Sequence, residues 1–467
     1  MNPTTSLRER MNAQPKKREA FEQAKTHAFE YLEAVGDGPV FPKEAALAGL
    51  EAFDEPLPDA PCDPAVMLRQ LHEVGSPATV ASTGGRYFGF VTGSAFPPVM
   101  AAKWLADVWD QNAALNVMSP VCAKLESVCE RWLVDLLALP LGCVAGFVGG
   151  TSTATAVGIA SARHELLRRC GWDVNAQGLF GAPPIRVVVG DEAHSTVFKA
   201  LAFLGLGRDR VERVPVDGHG RMIAEAMPAL DERTLVLAQA GNVNTGSFDP
   251  FEAICERAEE AHAWVHVDGA IGLWAAASPR LRPLVQGVAR ADSWSVDAHK
   301  ALNAPYDCGI VLCRHPESIM AAMQNTGAYI IYSGARDGMI YTPEMSRRGR
   351  GIDLWATLKT LGREGVIELI EGLCDRAAQA SGSLNSAGFR ILNEVVFNQV
   401  LVACDTKEQT LATLEGLQSG GECWCGGTTW QGQAAIRFSV CSWATSEEDI
   451  ERAVAAFIRA RGERGAV

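Results

Sequence analysis

The sequence predicts an α/β fold: a large domain on a mostly parallel sheet, flanked by an N-terminal helical arm and a small C-terminal α+β domain. Three observations predict it, one for each part of the chain. Residues 17–35 place Phe21, Ala24, Ala28, Tyr31, Leu32 and Val35 at helical intervals, and a Pro-rich connection from Phe41 through 55-EPLPDAPCDP-64 follows. Such an arm has little core of its own, so it is expected to pack on another domain or subunit. Between residues 185 and 313 five short apolar runs read as strands: 185-IRVVVG-190, 234-TLVLAQA-240, 263-AWVHVD-268, 292-DSWSVD-297 and 308-CGIVLC-313. Helical segments at 153–169, 195–205 and 250–262 lie before or between them. Strands apolar almost throughout, alternating with helices, indicate a parallel sheet covered on both faces. From Asp353 a long helical segment to Leu384 precedes two strand-like runs, 397-FNQVLVACD-405 and 435-AIRFSVC-441, and a helix over 446–461. The boundaries drawn are 1–78 for the arm, 79–352 for the large domain and 353–467 for the small one.

The chain of 467 residues has a net charge of −13 and a pI near 5.3, which argues against a nucleic-acid surface. An anionic ligand must then be held by a local site. The 13 cysteines follow no repeated spacing, so no disulfide framework is expected, and the pair in 422-ECWCGG-427 reads as two half-buried thiols. The first residues lack the apolar core of a signal peptide, and no run of about 18 apolar residues reads as a membrane span. A cytoplasmic location is the expectation.

Ligands of open parallel sheets bind at the carboxyl ends of the strands, and this is where the reactive side chains of this sequence fall. His194 follows the first run, Asn244 the second, Asp268 ends the third, and His299 with Lys300 follows the fourth. A fifth element, 149-GGTSTAT-155, opens a helix with two glycines and a cluster of hydroxyls, and a helix start favours anions. Each feature alone has a plainer reading, as a cap, a solvated side chain or an ordinary helix start. Together, a lysine, an acid at a neighbouring strand end and an anion site describe a pyridoxal phosphate pocket.

The same stretches resemble the group II pyridoxal-phosphate amino-acid decarboxylases. DAHK at 297–300 and HVDGA at 266–270 carry the resemblance, and RYFGFVTG, SPVCAKLESVCERWLVDLLALP and 346-SRRGRGIDLWATLKTLGREG-365 extend it nearly end to end. It implies the type I fold of pyridoxal-phosphate enzymes, like aspartate aminotransferase, and a homodimer whose arms clasp the neighbouring subunit around active sites at the interface. It implies that Lys300 joins the cofactor aldehyde, Asp268 pairs with the ring nitrogen, His194 and Ala270 cover the two ring faces, Thr151, Ser152 and His299 hold the phosphate, and Asn244 lies near the ring hydroxyl. Tyr329 matches the tyrosine that returns a proton to the substrate. Two departures stand out: Ala301 where relatives carry a bulky residue, and a helix start unusually rich in hydroxyls.

For the substrate, the resemblance places Phe90 of 87-YFGFV-91 in the pocket wall, which leans the reading toward an aromatic L-amino acid. Other readings stay open: an aldehyde-forming oxidative enzyme or another lyase on the same scaffold, a catalytically silent relative, and, from a different class, a metal-dependent hydrolase using His194, His266, Asp268 and His299.

Overall fold

The computed structural model describes residues 6–324, 332 and 335–462. The strands in chain order are β1 (Tyr87–Phe88), β2 (Val144–Val148), β3 (Arg186–Gly190), β4 (Glu212–Val214), β5 (Thr234–Gln239), β6 (Trp264–Asp268), β7 (Ser293–Asp297), β8 (Gly309–Cys313), β9 (Arg390–Ile391), β10 (Gln399–Ala403), β11 (Trp424–Trp430) and β12 (Gln433–Ser439). The large sheet has seven strands in the order β2-β8-β7-β6-β5-β3-β4. β3 through β7 pair in parallel, and β8 runs antiparallel to both β7 and β2. Every residue of β5, β6, β7 and β8 is buried, as the continuous apolar runs require of a sheet covered on both faces. The carboxyl ends of β2, β3, β5, β6 and β7 share one edge because β8 alone is reversed among them.

All five runs read as strands are strands, and the helices over 153–169, 195–205 and 250–262 form as Thr151–Arg169, Ser195–Phe203 and Phe251–Glu260. β2 and β4 were not foreseen. β2, 144-VAGFV-148, is a short run interrupted by one glycine, yet Gly146 belongs there, because a Cβ at that position would collide with the backbone carbonyl of Tyr341.

The smaller sheet has the order β1-β11-β12-β10-β9. β1 pairs in parallel with β11, so a segment far upstream completes the C-terminal sheet. The long helix Arg350–Ser386 is broken at Gly362, whose φ of 62° a side chain would resist. It runs through Asp353, so the large and small domains share one element.

The arm opens with two helices, Leu7–Lys17 and Glu19–Ala34, with no buried residue in either, and continues through short helical segments between Glu44 and Ala78. Phe21, Phe29, Leu50, Phe53 and Leu71 are exposed along the arm. It is tied to the rest by Arg86, which donates to the carbonyls of Gly36 and Gly38 at 2.9 Å each, and by the Val40 N–H on Gly421. Among the described residues no helix is long and apolar enough to cross a membrane.

Candidate active site

Lys300 stands just beyond the carboxyl end of β7, half-buried, with its Nζ 3.3 Å from Oδ2 of Asp297. Asp297 is buried and accepts two further bonds of 2.8 Å, from the N–H and the hydroxyl of Thr151 at the start of the helix Thr151–Arg169. One carboxylate therefore joins the lysine to the glycine-hydroxyl helix start. Sequence reasoning missed Asp297, although it stands three residues before Lys300 at a strand end. Thr151, expected as a phosphate contact, gives both its donors to Asp297. The adjacent Ser152 is exposed, and its N–H belongs to the first helical turn, where the intrahelical partner is missing.

His299 is buried. Its Nδ1 accepts the Cys308 N–H at 3.1 Å, so the neutral ring carries its proton on Nε2, 3.7 Å from Asp297 Oδ2. The Tyr306 ring packs on it at 4.4 Å. Burial, ahead of the opposing charge of Asp297, holds its pKa below the ordinary histidine value. The chain at Gly93 crosses directly over this loop: a Cβ there would strike the carbonyls of His299 and Lys300. The segment that ends at Gly93 is thereby held against the backbone of the lysine loop.

Asp268 ends β6, fully enclosed, with Oδ1 accepting the Ala270 N–H at 3.2 Å. Burial pushes its carboxyl up, and the charges of His194 and Lys300 pull it back down. A buried acid of this kind is completed by a cation set against it. His194 caps the helix Ser195–Phe203: its Nδ1 accepts the Thr196 N–H at 3.3 Å and meets the Thr196 hydroxyl at 2.7 Å. Burial lowers its pKa against the opposing charge of Asp268, and Lys300 and Arg437 add to the lowering. Asn244 donates its N–H to Asn242 Oδ1 at 2.9 Å, and its own Oδ1 accepts the Thr428 hydroxyl at 3.0 Å, which links the site to the small sheet.

Arg437 on β12 is a second residue that sequence reasoning missed. Its Nη1 reaches the Val243 carbonyl at 3.4 Å, its Nε has no hydrogen-bond partner, and burial lowers its pKa. Among the described residues no carboxylate pairs with it. Gly426 lies opposite it in the register, and a Cβ there would meet only the edge of the Trp424 ring, at 4.0 Å. Open space therefore borders a cation without a counter-ion.

Phe90 is 64% exposed, and its ring stacks on Trp424 at 5.5 Å, with Tyr87 on the same indole at 5.3 Å. Tyr329 lies outside the described residues. The four proposed metal ligands do not converge: His266 is fully buried, bonded through Nδ1 to Ser293 at 2.8 Å, and its ring packs against Gly158 of the overlying helix. Burial without a charged partner holds its pKa down at about 3. The side chains that do gather fit pyridoxal 5'-phosphate: an enclosed carboxylate for a cationic ring nitrogen, a lysine amine beside it, and a helix start with a donor to spare.

The pyridoxal-dependent decarboxylase conserved domain matches residues 52–403. Tryptophan decarboxylase 1 of Oryza sativa subsp. japonica is 26% identical, covering 91% of this chain and 89% of its own. The aromatic-L-amino-acid decarboxylase of Bos taurus is 25% identical over 98% of this chain and 99% of that one, and the aspartate 1-decarboxylase of Aliivibrio fischeri is 30% identical over 50% and 45%. Among solved structures, Oryza sativa TDC with PLP and tryptamine superposes with a TM-score of 0.86 at 22% identity, covering 99% of each chain. Mouse CSAD in apo form gives 0.87 at 21%, covering 95% of this chain and 98% of that one. With the family domain spanning the strand ends that carry Asp268 and Lys300, the chain belongs to the pyridoxal-dependent decarboxylases, carboxy-lyases that act on amino acids with pyridoxal 5'-phosphate.

Proposed function

We propose that this enzyme removes CO2 from an L-amino acid with an aromatic side chain, leaving the corresponding amine. The observation that carries the substrate class is the stack of Phe90 and Tyr87 on Trp424, a few residues before Gly93 meets the backbone of the lysine loop. Stacked rings with one exposed face favour another ring over an aliphatic chain by about 0.5–1.5 kcal/mol beyond the area buried. The relatives named for tryptophan and aromatic amino acids agree with this choice, while those named for aspartate and other acidic amino acids compete with it.

When bound, pyridoxal 5'-phosphate supplies an aldehyde for the substrate amine and a ring that takes up the electrons left on Cα as CO2 departs. Ser152, His299 and the helix start at Thr151 hold its phosphate, Asp268 its ring nitrogen, Asn244 its hydroxyl side, and His194 and Ala270 its two faces. Lys300 is the amine that would hold the cofactor aldehyde between turns, and Asp297 receives the Lys300 ammonium whenever the amine is free. A neutral His194 leaves the Asp268 charge to the ring nitrogen alone. Arg437 takes the substrate carboxylate, and the Tyr329 phenol returns a proton to Cα.

Arg437→Met raises KM by roughly 10- to 100-fold, since a hydrogen bond to a charged group is worth about 1.5–3 kcal/mol. Steady-state kinetics check this, and an unchanged KM removes Arg437 from the binding step. The reaction itself is tested on a panel of L-amino acids scored for CO2, ammonia and peroxide. CO2 and amine from tryptophan, tyrosine or 3,4-dihydroxyphenylalanine support the proposal. Release of peroxide and ammonia turns it into an aldehyde synthase, and turnover of aspartate or cysteine sulfinate alone overturns the substrate class.

The exposed apolar side chains of the arm support a homodimer in which each arm covers the other subunit.

A further inference from the structure

Away from the cofactor site, the arm gathers a second set of chemically competent side chains. His27 and Glu30 are three residues apart on the helix Glu19–Ala34 and so share a face. His72 comes from the following layer, in the turn Leu71–Gly75. His27 Nδ1 lies 3.1 Å and His72 Nε2 3.2 Å from the same oxygen, Glu30 Oε2, and all three atoms lie within 4.8 Å of one another. The two imidazoles are stacked, 4.1 Å apart and 12° from parallel, so each ring turns about its Cβ–Cγ bond to aim its in-plane lone pair at a shared ion.

We propose that His27, Glu30 and His72 bind a divalent transition-metal ion of the zinc class, which staples the helix Glu19–Ala34 to the Leu71–Gly75 turn. Two imidazoles and one carboxylate are a borderline donor set that suits zinc(II). With metal–nitrogen bonds of about 2.0–2.1 Å, the edge of a tetrahedral site is roughly 3.3 Å. The two measured nitrogen-oxygen separations are already within a few tenths of an ångström of that edge.

The outer ring nitrogen of His72 is also held, as that of a metal-binding histidine is. His72 Nδ1 meets the Ser76 hydroxyl at 3.0 Å, and that hydroxyl can accept the Nδ1–H left when Nε2 binds metal. His27 Nε2 meets the Gln23 amide nitrogen at 3.3 Å while that nitrogen donates to the Ala65 carbonyl at 3.0 Å, so the amide swings aside when His27 Nδ1 binds metal and Nε2 carries the proton. Glu30 and His72 border an open cleft of about 470 Å³, which admits the ion and leaves room for water in the remaining coordination position. No residue of this cluster belongs to the cofactor site, so the inference stands apart from the proposed substrate.

The test uses the full-length holoenzyme, stripped with chelator and then dialysed against zinc(II) or cobalt(II). Wild-type protein is expected to retain stoichiometric zinc, to gain thermal stability with it, and to show the visible ligand-field bands of four-coordinate cobalt. His72→Gln and Glu30→Gln are expected to weaken zinc binding by more than the roughly 10–100-fold that loss of an outer partner costs, and to lose the cobalt bands. Their circular dichroism, cofactor absorbance and decarboxylation rate should remain those of the wild type. The proposal is overturned if wild-type protein retains no zinc, or if both variants bind it as tightly as wild type does.

Discussion

Lys300→Ala lowers kcat by at least about a thousandfold and removes the site at which borohydride fixes the cofactor to the protein. Two separate functions disappear with the amine. The amine would anchor the cofactor aldehyde between turns, and it would release the product amine when a turn ends. Labelled borohydride followed by peptide mapping places the label on Lys300 in the wild type and nowhere in the variant; label on another lysine would remove Lys300 from its role. The alanine variant has a structural cost as well, because Asp297 is buried and loses the ammonium 3.3 Å away. Lys300→Arg separates the two effects. It keeps a cation against Asp297 and so holds the melting temperature of the apoprotein, while a guanidinium, always protonated, still cannot attack the aldehyde. Two variants equally inactive but unequally stable are the expected result.

The features legible in the sequence are those set by periodicity and by the ends of strands. A strand buried on both faces is largely apolar, so β5 through β8 could be read directly, and the residues after the parallel strands β3, β5, β6 and β7 had to meet at one edge of the sheet. His194, Asn244, Asp268, His299 and Lys300 could therefore be chosen by position. Contacts made across long stretches of chain were not legible. That Thr151 would turn to Asp297 depends on how the helix start docks against β7, and no local pattern carries that. Arg437 sits in a run that reads as an ordinary strand of the small domain, and only the pairing of β12 with β11 brings it beside Trp424 and Gly426. β11 itself, 424-WCGGTTW-430, was hidden by its glycines and by the attention its cysteines draw. Both thiols, read as half-buried, are fully buried, and burial pushes the Cys425 thiol far up. The pairing of β1 with β11 has the same origin: two residues, Tyr87 and Phe88, are too short a strand to read, yet they set the aromatic wall over the lysine loop.

Asp268→Asn separates catalysis from folding more sharply than any other substitution in the site. In the wild type, a carboxylate about 4 Å from a protonated ring nitrogen, in surroundings of effective dielectric near 20, is worth roughly 4 kcal/mol. At 1.36 kcal/mol per pKa unit this is about three units, enough to keep the ring nitrogen protonated at pH 7. Asparagine has the same shape without the charge, so it would not hold a proton on the ring nitrogen of a bound cofactor, whose capacity to take electrons from Cα would fall. A fall in kcat of about a thousandfold is expected, with a KM nearly unchanged because Arg437 and the aromatic wall are untouched. The apoprotein responds in the opposite sense. Burial already pushes the Asp268 carboxyl up, which means that the folded chain without cofactor pays to keep this charge. The amide oxygen can still accept the Ala270 N–H, so calorimetry should show a melting temperature equal to or above that of the wild-type apoprotein. A variant that loses stability and activity together would make Asp268 a structural residue, and the charge would then have to be sought elsewhere in the site.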